Sequence, residues 1–274
     1  MAITAADVNK LRQMTGAGMM DCKSALTEAN GDFDAAIDIL RKKGQKVAAK
    51  RADRVSNEGR VIAKTNDNHT LGAILMISCE TDFVGKEANF VKFVDSILEI
   101  AMANNIKTKE ALLAFPLDGI SIADRLMDMT GKTGEKVEMP DYQVIEAPCV
   151  AAYNHNGNRL ATIVGFSLPG FDAVGHDVAM QIAAMNPIAV NPDSVPQPVI
   201  EHELEIAREV TRQEGKPEDM VEKIAQGKLN KFFKENTLLN QEFIKDNKMT
   251  VDGYLKSADK NLTCTGFIRL QLGA

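Results

Sequence analysis

The sequence predicts an α+β fold: a small N-terminal three-helix module, then a duplicated hairpin-plus-helix core with antiparallel sheets, interrupted by an inserted antiparallel helical hairpin. Two observations predict this fold. Apolar residues recur at helical spacing near the start and in the later part of the chain, whereas residues 59–78 carry the apolar runs and central turn of a β-hairpin. The hairpin pattern then returns 89 residues later, which indicates an internal duplication.

The composition is that of an ordinary globular protein. At 274 residues, with 45% apolar and 26% charged residues, the chain is long enough for two domains with their own cores. A formal net charge of −6 argues against a protein that binds polyanions, so no direct nucleic-acid partner is expected. No apolar run approaches the roughly 20 residues that span a bilayer. Residues 1–7 lack the features of a secretion signal, so we expect a cytoplasmic protein with no membrane partner.

The side chains that usually hold metals or act as nucleophiles are scattered along the chain. They are Cys22, Cys79, Cys149 and Cys264, together with His69, His155, His176 and His202. No two cysteines have Cys-x-x-Cys spacing, and no histidines form a His-Glu-x-x-His pattern. We therefore expect free thiols in a reducing compartment, with no metal site and no cofactor.

Residues 1–44 are predicted to form the three-helix module. Thr4 is a suitable N-cap, Thr15–Gly18 breaks the first helix, and Asn30–Asp32 ends the second helix and caps the third. Gly44 is expected to end the third helix. Three helices in about 40 residues enclose a very small core, so we interpret this module as a binding unit rather than an enzyme.

Arg12, Met19 and Met20 cluster around the glycine turn of this module, while Met14 is predicted to lie on the apolar stripe of the first helix. One interpretation places both Met19 and Met20 in the core. Adjacent residues on a helix cannot both face the core fully, so we expect at least one of these methionines to point outward.

Residues 45–58 are predicted to be a basic linker. With the end of the preceding helix, this region carries Arg41, Lys42, Lys43, Lys46, Lys50, Arg51 and Arg54. A nucleic-acid patch is one interpretation of such a run. The run has no interleaved aromatic residues and is diluted by Asp53 and Glu58, which favours a solvated linker helix.

The predicted core consists of two copies, residues 59–141 and residues 142–190 with 248–274. Residues of the first hairpin match residues of the second at a constant separation of 89: Val61 with Val150, Leu71 with Leu160, Ile74 with Ile163 and Ser78 with Ser167. In the helices that follow, the separation is 84, as between Val94 and Val178. The first copy therefore has five more residues than the second between its hairpin and its helix.

Those extra residues lie in the stretch Cys79–Glu87, which we call the joint. In one interpretation Thr81 or Asp82 caps the following helix and Phe83 folds back onto the core. In the other, Phe83 is an exposed aromatic anchor beside a carboxylate, offered to another protein. In the second copy an ordinary short turn connects the hairpin to the helix. The extra length of the joint in the first copy therefore favours the interpretation of Phe83 as an exposed anchor.

Between the copies, residues 108–141 contain a predicted helix over Ile122–Met129 and a loop through Gly131–Glu135. The Gly-Lys-Thr in this loop lacks the upstream glycine of a phosphate-binding loop, and no clear strand leads into it. It is not interpreted as a nucleotide site.

Residues 191–247 are predicted to be an inserted arm. A proline-rich linker over residues 186–198 precedes two helices, Val199–Arg212 and Glu218–Phe233, which are joined by a Gly-Lys-Pro turn. The last strand, Leu262–Leu272, is expected to complete the second sheet.

Two long motifs resemble the elongation factor Ts family of bacterial and organellar type. The first is the run Leu11–Leu26, which reads LRQMTGAGMMDCKSAL, and the second is Cys79–Val84, which reads CETDFV. The resemblance extends over nearly the whole chain. Two departures from the family pattern are Ser78, where Asn is usual, and Gly85, where Ala or Ser is usual.

The resemblance implies a guanine nucleotide exchange factor for elongation factor Tu that promotes GDP release, and a ubiquitin-associated-type fold for the N-terminal module. It implies partner-binding roles for Arg12, Met19, Met20, Thr81, Asp82, Phe83, Val84 and His155. The first three would bind the GTPase domain, the joint would disturb the Mg²⁺ site with Phe83 in an apolar pocket, and His155 would face the partner's C-terminal domain.

An exchange factor makes no covalent bond, so a catalytic constellation is not expected. Two alternatives to exchange stay open. One is a scaffold that tethers a GTPase or another partner without exchange. The other is an enzyme, which is disfavoured because Glu80, Asp82 and Glu87 have no accompanying histidine, lysine or metal set. The resemblance leaves open a homodimer or a 2:2 complex with the partner.

Overall fold

The computed structural model describes residues 3–273; residues 1, 2 and 274, at the outer ends of the first and last predicted segments, lie outside the described residues. The helices are α1 (Ala5–Thr15), α2 (Met19–Glu28), α3 (Phe33–Lys50), α4 (Asp82–Gly85), α5 (Ala88–Ala103), α6 (Lys109–Ala114), α7 (Ile122–Thr133), α8 (Asp172–Met185), α9 (Gln197–Gln213), α10 (Glu218–Asn236) and α11 (Val251–Ala258). The strands are β1 (Glu58–Thr65), β2 (Leu71–Cys79), β3 (Pro116–Leu117), β4 (Ile120–Ser121), β5 (Glu138–Glu146), β6 (Cys149–Asn154), β7 (Leu160–Phe166), β8 (Glu242–Phe243), β9 (Asp246–Thr250) and β10 (Cys264–Gln271). The predicted α+β class is confirmed.

The N-terminal module begins and turns where the sequence predicts. Thr4 accepts from the backbone N–H of Asp7, whose side chain accepts from Thr4 in return, which makes a capping box. Gly16 ends α1 with φ of 69°, and Asp32 caps α3. The three helices enclose a small core of Val8, Leu11, Cys22, Ala25, Leu26 and Ala36.

The third helix is longer than predicted, because Gly44 does not end it. α3 continues to Lys50, so the predicted linker 45–58 is helical over residues 45–50 and not beyond them. Gly44 instead allows a close crossing with α7, where a Cβ on Gly131 would lie 2.8 Å from the Cα of Gly44. The predicted loop through Gly131 is correspondingly wrong, since α7 runs to Thr133. Tertiary packing here outweighs the low helix propensity of glycine.

The core contains two three-stranded antiparallel sheets with matching topology. Their strand orders are β1-β2-β5 and β6-β7-β10, so the duplicated hairpin occupies the same two places in each. The third strand of each sheet returns after a long excursion, through α5–α7 in the first copy and through the arm in the second. β5 spans residue 141, where the sequence placed the boundary between copies.

The two sheets pack face to face, and equivalent residues meet between them. Ile74 of β2 and Ile163 of β7, related by the separation of 89, are both buried in one cluster between the sheets. Alternate residues on the other side of β2, such as Leu75 and Ile77, pack with α5. Val164 of β7 packs with α8 in the same way. The layers therefore run helix, sheet, sheet, helix, which explains why every residue of β2 is buried.

The arm is the predicted antiparallel helical hairpin of α9 and α10. The buried residues of the two helices are Ala207, Thr211, Val221, Ala225 and Leu229. At its base the buried side chain of Gln181 donates to Gln241 at 3.2 Å. Between α10 and β10 lie β8, β9 and α11, three elements that the sequence did not predict. Within residues 3–273 we find no helix with both the length and the apolarity that crossing a membrane requires.

Candidate functional site

The joint between β2 and α5 contains one short helix, α4, and presents an aromatic side chain to solvent. Phe83 lies on α4 and is 84% exposed, the most exposed large apolar residue of the described chain. Leaving a phenylalanine in water forgoes about 2 kcal/mol of burial free energy. The interpretation in which Phe83 folds back onto its own core is therefore wrong.

The caps of the joint differ from those predicted. Glu87 caps α5, with one carboxylate oxygen accepting from the backbone N–H of Asn89 at 2.9 Å and of Phe90 at 3.0 Å. Thr81 precedes α4, but its side chain makes no capping bond. Its hydroxyl donates to Glu135 Oε1 at 2.6 Å, and its backbone N–H donates to Glu135 Oε2 at 3.0 Å. The expectation that Thr81 or Asp82 caps the long helix is wrong, because Glu87 already fills that role.

The inner face of α4 is held by close packing. Gly85 is buried against β1, where an added Cβ would lie 3.1 Å from the backbone N and O of Gly59. Val84 is partly buried and packs against the cluster beneath α5. With Val84 and Gly85 turned inward, the one-turn helix directs Phe83 outward.

The residue before Thr81 ties the joint to two other parts of the chain. The Glu80 carboxylate accepts from Arg51 Nη1 at 2.8 Å and from the backbone N–H of Lys136 at 2.6 Å. The hydrogen bond from Lys136 and the pairing with Arg51 hold the pKa of Glu80 below its ordinary value. Arg51 directly follows α3, so the end of the N-terminal module reaches the joint through this pair.

Asp82 and Cys79 differ in what they can do chemically. Asp82 is paired with Lys86 Nζ at 2.6 Å, and this hydrogen bond and charge lower the pKa of its carboxyl. The Asp82 carboxylate therefore stays ionised beside the exposed ring. Burial, with the charge of Glu135 second, raises the pKa of the Cys79 thiol to about 12. Cys79 is therefore held as a thiol and is not a nucleophile near neutral pH.

The glycine turn of the N-terminal module carries three exposed methionines. Met20 is 74% exposed and Met19 is 50% exposed, so the interpretation that places both in the core is wrong. Met14, predicted on the apolar stripe of α1, is also exposed. Arg12 is exposed on the same helix. These are flexible apolar side chains of the kind used at protein contact surfaces.

The module and the joint border one open cleft of about 700 Å³. Met14, Thr15 and Gly16 line it on the module side, and Val84 and Glu87 line it on the joint side. The glycine turn and the joint thus border a single groove, and of the predicted partner-binding residues Val84 is the one that lines it.

His155 lies apart from that groove. It follows β6 and is exposed, with Nδ1 3.0 Å from the hydroxyl of Tyr153. The ring of Tyr153 also meets His176 edge-on, with centroids 5.6 Å apart. Between described residues, no hydrogen bond or ion pair links His155 to the joint. Over residues 3–273, no group of three metal-ligating side chains is close enough to hold an ion.

Comparison with known proteins gives a consistent family. Residues 80–274 match the family described as elongation factor Ts, a stretch that covers the joint from Glu80 onward, β5 of the first sheet and the whole second sheet. The chain is 52% identical over 273 residues to "Elongation factor Ts" of Christiangramia forsetii, covering 99% of each chain. It is 53% identical to that of Flavobacterium psychrophilum, again over 99% of each chain, and 50% identical to that of Porphyromonas gingivalis over the full length of both. This chain belongs to the elongation factor Ts family.

As a member of the elongation factor Ts family, the protein is a translation elongation factor. Three residues that build its joint were missed by the sequence reasoning: Arg51, Glu135 and Lys136. Arg51 and Glu80 are 29 residues apart, and Thr81 and Glu135 are 54 apart. No periodicity or motif of a single sequence reports contacts at such separations, so nothing in the sequence pointed to them.

Proposed function

We propose that this protein promotes release of GDP from elongation factor Tu so that GTP can bind. The observation that carries the proposal is the exposure of Phe83 beside the ionised Asp82 on a joint anchored at both ends. An aromatic ring held in place before binding loses little conformational freedom on contact, which is how interface anchors gain their strength.

Exchange follows from differential binding and needs no bond chemistry. The factor must bind the nucleotide-free partner more tightly than the GDP-bound one. The coupling is reciprocal, so GDP weakens the grip of the factor by the same ratio. A thousandfold faster release corresponds to about 4 kcal/mol. One buried aromatic anchor supplies about 2–4 kcal/mol, so Phe83 acts together with other contacts.

Each predicted site residue has a place in this proposal. Phe83 enters an apolar pocket of the partner beside its Mg²⁺ site, and Asp82 brings a negative charge toward the phosphates of GDP, which like-charge repulsion disfavours. Thr81 and Val84 hold the stretch that carries them. Arg12, Met19 and Met20, which are exposed around the glycine turn of the module, bind the GTPase domain. His155, in the second copy, contacts the C-terminal domain of the partner.

Stopped-flow release of fluorescent GDP from elongation factor Tu, chased with unlabelled GDP, tests the proposal. The wild-type chain should accelerate release, and Phe83→Ala should lose most of that acceleration while folding normally. Ile206→Ala, which truncates an exposed aliphatic residue on the arm, is the control and should behave as wild type. Excess EDTA should shrink the acceleration, because the Mg²⁺ that the factor disturbs is already gone. An unchanged release rate with Phe83→Ala would refute the role of the ring.

The same experiment separates exchange from tethering. A scaffold would bind elongation factor Tu through the exposed methionines and Phe83 yet leave the GDP release rate unaltered. The encounter is proposed to take place in the cytoplasm, with no nucleic acid or membrane involved. Light scattering of the purified complex distinguishes a 1:1 pair from a 2:2 assembly.

A further inference from the structure

A reciprocal set of hydrogen bonds clamps the upstream side of the joint. The Glu135 carboxylate accepts from both the N–H and the hydroxyl of Thr81, at 3.0 and 2.6 Å. The neighbouring residues form a matching bond. The carboxylate of Glu80, which precedes Thr81, accepts from the backbone N–H of Lys136, which follows Glu135, at 2.6 Å. Glu80–Thr81 and Glu135–Lys136 are thus joined in both directions, because a carboxylate of each pair accepts from a backbone N–H of the other pair. We call this set of bonds the clamp. Bonds to an ionised acceptor are among the stronger hydrogen bonds in proteins.

Because of the clamp, α4 has no side-chain N-cap. Thr81 stands at the N-cap position, with the extended backbone of that position, yet its side chain is committed to Glu135. A helix of four residues is marginal without tertiary support. The clamp therefore stabilises the start of α4 through a segment that is distant in sequence, because the residues of α4 provide no cap of their own.

We propose that Glu135 is a positioning residue for nucleotide exchange, fixing the direction in which Phe83 leaves the joint. This inference rests on the proposed function and adds to it a residue outside the contact surface. Downstream of Phe83 the chain is held by the packing of Gly85 on Gly59 and by the Glu87 cap. Upstream, the bonds between Thr81 and Glu135 are the nearest restraint to the ring that reaches beyond the joint itself.

Removing this restraint should not unfold the segment that provides it. The backbone N–H of Glu135 donates to Thr133 Oγ1 at 3.2 Å, so the turn after α7 keeps a bond of its own. Glu135→Gln preserves the shape of the side chain but replaces one acceptor oxygen with a donor. The neutral amide can accept only one of the two bonds from Thr81, and without charge assistance. The ring should then sample a wider range of directions.

Fluorescence of Phe83→Trp measures that freedom without any partner. The chain contains no tryptophan and three tyrosines, so excitation at the long-wavelength edge, where tyrosine does not absorb, makes the substituted residue the sole emitter. Steady-state anisotropy and acrylamide quenching should show a more mobile side chain when Glu135→Gln is added. Glu222→Gln is the matched control, because Glu222 is a carboxylate that accepts two bonds from Arg208 on the arm. It should leave both measurements unchanged.

A double-mutant cycle then connects the restraint to exchange. We expect Glu135→Gln to slow factor-dependent GDP release about tenfold, since small misplacement of an anchor has large effects on rate. In a Phe83→Ala background the same substitution should change the rate less than twofold, because the ring it positions is absent. Thr81→Val should reproduce the effect of Glu135→Gln, and Thr81→Ser, which keeps the hydroxyl, should restore exchange.

The outcomes separate this inference from the proposed function. If wild type accelerates GDP release but Glu135→Gln does so equally well, or slows it equally with and without Phe83, the positioning role is wrong. If wild type gives no acceleration, the proposed function fails. The anisotropy comparison still decides whether Glu135 orients the side chain at position 83, and equal anisotropy in both backgrounds would overturn that as well.

Discussion

Gly85 of α4 and Gly59 of β1 lie so close that a methyl group on Gly85 would come within 3.1 Å of the Gly59 backbone. This contact sets the height of α4 above the first sheet, and with it the place where Phe83 emerges. The Gly59 backbone itself has φ of 130°, and a Cβ there would lie 2.2 Å from the carbonyl oxygen of Ile77. Neither side of the contact has room for a branched side chain.

We predict that Gly85→Val destabilises the protein by about 1–3 kcal/mol, the usual range for overpacking a tight contact. Gly85→Ala requires a shift of only a few tenths of an ångström and should cost less than about 1 kcal/mol. Urea unfolding of the three proteins measures the difference. Equal stabilities for Gly85→Val and wild type would show that α4 can lift freely, which contradicts the close packing described above.

The crossing of α3 and α7 gives a second prediction. A Cβ on Gly131 would lie 2.8 Å from the Cα of Gly44, so even Gly131→Ala must push the helices apart. We expect faster amide hydrogen exchange in α3 and a loss of about 1–3 kcal/mol of unfolding free energy. Gly227 is the control, because it is an exposed glycine of α10 with open space around it. Gly227→Ala should stabilise the protein by about 0.5–1 kcal/mol through helix propensity.

The sequence correctly predicted those parts of the fold that depend on interactions between residues close together in the chain. The caps at Thr4 and Asp32 lie where predicted because capping involves residues three apart. The extent of α3 and α7 was mispredicted because Gly44 and Gly131 are read as helix breakers until the partner glycine on the other helix is known. The predicted domain boundaries stay an interpretation, since β5 belongs to the first sheet yet spans the proposed division.

In the candidate site, too, the sequence predicted some features, whereas contacts between residues distant in sequence were not predictable. Comparing the two copies within the chain drew attention to the joint, and the structure exposes Phe83 there. The restraints on that ring come from Arg51, Glu135 and Lys136, which are distant in sequence. A helical pattern also placed Met14 in the core, whereas it borders the cleft. Spacing shows which residues share a helix face, but it does not show whether another element covers that face.

The exposed methionines give a prediction that contrasts with Phe83. We expect Met20→Ala to raise the concentration of factor needed for half-maximal GDP release several-fold while leaving the rate at saturation nearly unchanged. A contact made equally with the loaded and the empty partner contributes to affinity alone. Titrating the factor in stopped-flow release measures both quantities. A lower saturating rate with Met20→Ala would instead place this methionine among the groups that loosen the nucleotide.

The pairing of Glu80 predicts how stability falls in acid. Its pKa is lowered in the folded protein, chiefly by the Lys136 N–H and then by Arg51, relative to about 4.3 in an unfolded chain. The stabilisation is therefore fully present above the unfolded value and is lost as pH falls from there through the folded pKa. In Glu80→Gln that contribution is already absent at every pH.

Urea unfolding of wild type and Glu80→Gln between pH 7 and pH 3 checks this. Wild type should be more stable at pH 7, and the difference should stay constant until about pH 5 and then shrink as acid protonates the unfolded chain first. Glu28→Gln, which removes an exposed carboxylate of α2, serves to separate the loss of Glu80 from the general effect of removing a carboxylate. A difference that grows as the pH falls would mean that Glu80 is destabilised as an anion, which is opposite to what its two donors imply.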